Sequence, residues 1–148
     1  MKPDPKLRRI APDEMPDDIA SAWRHSMDLR GDATFFEVFA NHPELYRWYV
    51  NQFYGDVFRG GKVAQRYKEL LRLRLSTLHG CRFCNQGNRL DALKAGLTEA
   101  QIVAFESPES GPFPPAELAV LALGTELALT NSTGGLSEAL HGQLAAYF

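Results

Sequence analysis

The sequence predicts an all-α protein, and three observations carry that expectation. No stretch shows the strict two-residue alternation of a half-buried strand. Apolar residues recur instead at three- and four-residue steps, most clearly at Tyr67, Leu70, Leu71, Leu75 and Leu78. These segments are bounded by the Gly, Pro, Ser and Thr residues that open and close helices. The connections are short enough for a helical bundle, and no internal repeat or low-complexity segment interrupts them.

Residues 1–13 are rich in Pro and charge and read as an extended arm, leaving 14–148 as a single helical domain. A first helix is expected from Pro16 to Leu29, with Ile19, Ala22, Trp23 and Met27 at helical spacing and Gly31 ending it. A short helix from Thr34 to Ala40 carries Phe35, Phe36, Val38 and Phe39. Pro43, tolerated at a first helical position, opens a third that bears Leu45, Trp48, Tyr49, Phe53 and Val57 and stops at Gly60-Gly61. The fourth, through Tyr67 and Leu78, puts Lys68, Arg72 and Ser76 on its polar side, and Gly80 interrupts it. A fifth runs from about Cys81 to Ala95 and is closed by Gly96. Thr98 and Gln101 make a capping box for a short helix with Ile102, Val103 and Phe105. The four prolines and one glycine between Ser107 and Pro115 mark a loop. Pro114 and Pro115 then begin a helix through Leu118, Leu121, Leu123 and Leu127. Asn131 to Gly135 reads as a turn, where Asn131-Ser132-Thr133 matches a glycosylation acceptor of little relevance without a signal peptide. Ser137 caps a last helix reaching Phe148.

Composition narrows the function. A chain of 148 residues with 45% hydrophobic content is about one domain with a core that needs no staples. A net charge of −2 gives no basic field to hold nucleic acid. No apolar run approaches the roughly 18 residues of a membrane span. The N-terminal MKPDPKLRRI has positive charge without an apolar core behind it, unlike a secretory signal. The expected location is the cytoplasm, where a cysteine pair is rarely a structural staple.

The two cysteines, Cys81 and Cys84, stand three apart at the start of the fifth helix. Residues at i and i+3 share a helix face, so the two sulfurs can close a disulfide within one turn. The free N–H groups and the dipole at a helix N-terminus favour a thiolate, the nucleophilic form. That placement suits thiol exchange or peroxide reduction. Two buried structural thiols are the alternative. Zinc needs about four ligands, and His25, His42, His79 and His141 show no ligand spacing, so no metal is assigned. Glu69 lies among Leu70, Leu71 and Leu73, and on spacing alone reads as a solvated charge. On one continuous helix, twelve residues would carry it about 18 Å from Cys81. A break at Gly80 would let the next helix fold back, so that the carboxylate lies near the dithiol and exchanges protons with a cysteine.

The stretch from Tyr67 to Asn88 resembles the core of the carboxymuconolactone decarboxylase superfamily, and within it the alkyl hydroperoxidase D-like branch. Glu69, Cys81 and Cys84 match that branch in identity and spacing. Ala95-Gly96-Leu97-Thr98, the helix with Ile102, the upstream helices around Pro43 and the segment from Pro114 are also similar, so that the resemblance covers roughly residues 10 to 148. Two departures stand out. Asn88 occupies the place of the relay His, and Phe83 stands between the cysteines where alkyl hydroperoxidase D has His. Asn88 can hydrogen-bond but cannot titrate near neutral pH. His79 is close enough in sequence to substitute, or is simply a residue at a helix C-terminus. Relatives continue into another long helix, whereas this chain stops at Tyr147-Phe148. Either the last helix is absent, which implies an alkyl hydroperoxidase D-like bundle lacking its usual last helix with an open apolar groove for a partner subunit, or this chain is shorter than the usual family member.

The resemblance implies a thiol-dependent oxidoreductase of peroxiredoxin type. Cys84 attacks a hydroperoxide, Cys81 resolves the sulfenic acid, Glu69 relays protons, and Asn88 or His79 gives polar support. An external dithiol or disulfide reductant restores the couple, and no cofactor is involved. It also implies a homo-oligomer, trimer or hexamer. Two other readings remain: a decarboxylase of the same fold acting on a small carboxylated lactone, and a non-catalytic helical oligomer with a degraded relay, for which Asn88 is the best argument.

Overall fold

The computed structural model describes residues 6–130 and 135–148. The turn expected at 131–135 falls, save for Gly135, outside them, as does Asn131-Ser132-Thr133. The described residues are helical and contain no strand. None of their helices is long and apolar enough to cross a membrane. They form two compact units, Met1–Gly61 and Lys62–Phe148.

In the first unit, α1 (Asp17–Arg30) begins with two acidic residues that complement its dipole. It ends at Gly31, whose N–H donates to the Met27 carbonyl at 2.8 Å. Next come α2 (Thr34–Phe39) and α3 (Pro43–Trp48), the latter with Pro43 at its first position and the His42 ring accepting from the Leu45 N–H. Met15, Ile19, Ala20, Ala40 and Tyr46 form the core. The arm is tied down at Ile10, whose N–H donates to the Glu37 carbonyl at 3.0 Å.

The third expected helix is two structures in succession. After Trp48 the backbone changes to a π-helix over Tyr49–Phe58. Its aromatics explain the change. Tyr49 and Tyr54, five apart, meet edge to face at 4.9 Å. The wider turn of an i→i+5 helix aligns residues that an α-helix would splay.

In the second unit, α4 (Gln65–Leu78) lies against α5 (Arg82–Lys94) and α7 (Pro115–Leu129). Leu70, Leu73, Ala92, Leu97, Phe105, Phe113, Val120 and Leu121 make its core. The capping box of Thr98 and Gln101 opens α6 (Glu99–Val103), which tightens into a 3₁₀ turn at Ala104–Glu106. The proline-rich loop contains a second such turn, Pro108–Ser110. Ser137 caps α8 (Glu138–Ala145). A Cβ on Gly124 would stand 2.8 Å from Cγ of Arg74, so glycine there is what lets α7 approach α4 so closely. The buried Arg74 guanidinium donates to the Thr125 hydroxyl and to the Phe105 carbonyl. Its desolvation lowers its pKa from the ordinary arginine value.

The buried face of α4 corrects the sequence expectation. Leu78 is exposed at the helix end, while Glu69, Arg74 and Ser76 are buried beside Leu70 and Leu73. Apolar periodicity locates this helix but misplaces its polar residues, because three of them are satisfied inside the unit.

Candidate functional site

The dithiol sits on the link between α4 and α5. His79 is the C-cap of α4, and Gly80 follows at φ 64°. The Gly80 N–H donates to the Thr77 carbonyl and the Cys81 N–H to the Ser76 carbonyl, both at 3.0 Å. This is the paired closure of a Schellman motif, which needs a left-handed residue where Gly80 stands. Cys81 therefore finishes the cap of α4 and is also the N-cap of α5. Its Sγ accepts the Cys84 N–H at 3.3 Å, as a capping side chain does. The two cysteines are joined as a disulfide, with Cα atoms 5.3 Å apart. Both are partly exposed.

The fold-back at Gly80 lays α5 along α4. Asn88, one turn beyond Cys84, donates to the Ser76 hydroxyl at 3.0 Å and more weakly to the Arg72 carbonyl at 3.5 Å. One turn further, Asp91 accepts from Arg72 at 2.7 Å. Arg72 also reaches Glu69, with Nε at 2.8 Å and Nη2 at 2.5 Å. Gln65 donates to the other carboxylate oxygen of Glu69 at 2.7 Å.

Glu69 is thus not a solvated charge; it is 5% exposed. Burial of a carboxylate requires partners, and Arg72 with Gln65 supplies them. Glu69 holds the Arg72 guanidinium, while Asn88, one turn from Cys84, reaches Arg72 at its backbone carbonyl. The described hydrogen bonds of Glu69 include neither sulfur. His79 is exposed at the C-terminal end of α4, and no hydrogen bond of its side chain appears among the described contacts.

Sequence reasoning missed Arg72 and Ser76, which it placed on a solvent face. The available signal was their spacing from Asp91 and Asn88, which only a fold-back at Gly80 makes meaningful. It also missed a second polar cluster. Glu117, 3% exposed, accepts from Arg66 at 2.5 Å and from Gln101 at 2.9 Å. Arg66 further donates to the Gln101 amide oxygen at 3.0 Å, so three elements are joined through one buried carboxylate.

No curated protein and no solved structure matches the chain. A family does. Residues 43–126, more than half of the chain, match the carboxymuconolactone decarboxylase family. The matched span holds every element just described around the disulfide, from α4 and the Gly80 link through α5 and into α7. With that match over an all-α fold, the chain belongs to the carboxymuconolactone decarboxylase family.

Proposed function

We propose that this chain is a thiol-dependent peroxidase of the alkyl hydroperoxidase D-like branch, working through Cys81 and Cys84. The observation that supports this best is the disulfide in the capping turn of α5, where a backbone N–H already points at a sulfur. A Cys84 thiolate attacks the terminal oxygen of a hydroperoxide ROOH. The O–O bond breaks, ROH leaves with one added proton, and Cys84 becomes a sulfenic acid. The Cys81 thiol then displaces the sulfenic oxygen as water, forming the disulfide. An external dithiol reduces that bond and becomes a disulfide itself.

Glu69 is the carboxylate that takes up and returns the proton in this reading, with Asn88 as polar support one turn from Cys84. The experiment is hydroperoxide consumption by the wild type and by Glu69→Gln, with thermal unfolding in parallel. The substitution is expected to slow consumption about 10²-fold, the low end for a positioned acid–base group. Folding persists because Arg72 keeps Asp91. An unchanged rate and pH profile would leave Glu69 a purely structural residue. Retention of its charge partners by a chain with no peroxide consumption at all would favour the decarboxylase or non-catalytic readings.

The proposal includes a homo-oligomer. A groove of about 300 Å³ runs between α4, α7 and α8, lined by Val63, Tyr67, Leu71, Val120, Leu123, Leu144 and Phe148 together with Lys68. In the other unit Trp48 and Val57 are exposed. Apolar surface of this kind is ordinarily covered. Light scattering at micromolar concentration is expected to give a trimer or hexamer, and a stable monomer would refute that part.

A further inference from the structure

The helix that carries the dithiol repeats one device. Asn85 follows Cys81 by four residues, and Asn88 follows Cys84 by four. Each cysteine therefore has an asparagine on its own helix face, one turn on. Asn88 is engaged with Ser76 and Arg72. Asn85 is different: its Oδ1 is buried and meets no hydrogen-bond donor among the described residues. Cys81, Asn85, Asn88 and Ala92 lie on one stripe of α5, and that stripe faces inward, since Ala92 is fully buried and Asn88 bonds to α4.

A buried carbonyl without a donor is a costly defect. A leucine would fill the same space without it. In the disulfide form neither sulfur carries a hydrogen, so the neighbouring couple cannot satisfy the amide. Reduction changes this. An external dithiol gives up two electrons and two protons, the S–S bond breaks, and two S–H donors appear as the dithiol closes to its own disulfide.

We propose that Asn85 is a positioning residue of the dithiol, whose side-chain carbonyl accepts a hydrogen bond from the Cys81 thiol in the reduced protein. This rests on the reading of Cys81–Cys84 as a cycling couple. A bond to the neutral thiol favours the protonated form of Cys81, which leaves Cys84 as the thiolate that meets the hydroperoxide. It also stabilises the reduced form against a disulfide form in which Oδ1 is stranded, which makes the couple more oxidising.

The test is Asn85→Leu in the full chain, equilibrated in dithiothreitol buffers of defined oxidised-to-reduced ratio. The equilibrium is expected to move about ten-fold toward the disulfide, which is about 30 mV for a two-electron couple. A second readout separates positioning from simple packing. In a Cys84→Ser background, the pH midpoint for alkylation of Cys81 by iodoacetamide is expected to fall when Asn85 becomes Leu. If Asn85→Leu does not fold, Asn85→Ala serves for both measurements. An equilibrium and an alkylation profile that both match those of Asn85-containing protein would overturn the proposal. Failure of the peroxidase reading shows separately, as a wild-type dithiol that exchanges with dithiothreitol but does not react with hydroperoxide.

Discussion

Treated with one equivalent of hydroperoxide, Cys81→Ser is expected to accumulate a sulfenic acid that a trapping reagent labels at Cys84. Cys84→Ser is expected to give no label, and both substitutions should abolish catalytic turnover. Two arguments compete over which sulfur attacks. Cys81 is the N-cap of α5 and Cys84 lies within the first turn, so helix electrostatics give Cys81 a modest advantage. That effect is about 0.3–1 kcal/mol at exposed sites, equivalent to under about one pKa unit. The competing argument is positional. Cys84 is the cysteine one turn from Asn88, which bonds to α4 at Ser76 and at the backbone of Arg72, the residue whose guanidinium holds Glu69. Cys81 meanwhile uses its sulfur to accept the Cys84 N–H and its backbone N–H to finish the cap of α4. A positioned acid–base group outweighs a fraction of a helix dipole, so Cys84 is the attacking sulfur in this account. Label only in Cys84→Ser would reverse the assignment. Label in neither folded variant would point to a chain that keeps the family fold without the peroxidase.

The largest loss of stability is expected from Glu117→Ala. The carboxylate is buried and holds Arg66 and Gln101 at once. Its removal takes the charge partner from Arg66, which keeps the Gln101 amide oxygen, and one of two acceptors from the Gln101 amide; breaking one side of a buried pair costs about 3–5 kcal/mol. Arg66 is partly exposed and recovers some hydration, which puts the expectation near about 3 kcal/mol. Denaturant unfolding monitored by far-UV circular dichroism measures it, and a loss below about 1 kcal/mol would mean the cluster is far more hydrated than its burial implies. The unfolding should leave the redox couple a poor reporter of the substitution, because the dithiol link is built from the α4 cap rather than from this cluster.

The sequence made some of this architecture legible for identifiable reasons. Gly31, Gly80 and Gly96 end helices at positive φ, and glycine is the residue that adopts it freely. Thr98 and Gln101 form the capping box their spacing announces. The cysteine pair at the start of α5 is a local feature and needed no tertiary information. What remained hidden depends on pairing between helices. Glu69, Ser76 and Arg72 read as polar-face residues because their partners lie on α5, at Asn88 and Asp91, or one turn back at Gln65. The π-helix was hidden for a different reason. An α-helical period over Leu45, Trp48, Tyr49 and Phe53 continues plausibly, and only the five-residue spacings from Tyr49 to Tyr54 and from Phe53 to Phe58 hint at a wider turn. Asn85 offered only its four-residue spacing from Cys81, because the burial of its Oδ1 without a donor shows only in the folded chain.

The central claim is that Cys81 and Cys84 form a couple oxidised by hydroperoxide. It is tested by counting thiols in the fully reduced protein before and after one equivalent of an alkyl hydroperoxide, with the alcohol product measured alongside. The account predicts that both cysteines of each chain are titratable beforehand and neither afterwards, with one alcohol formed per chain and both thiols restored by an external dithiol. Thiols that remain titratable while the hydroperoxide persists, in a protein with its helical circular dichroism intact, would contradict it.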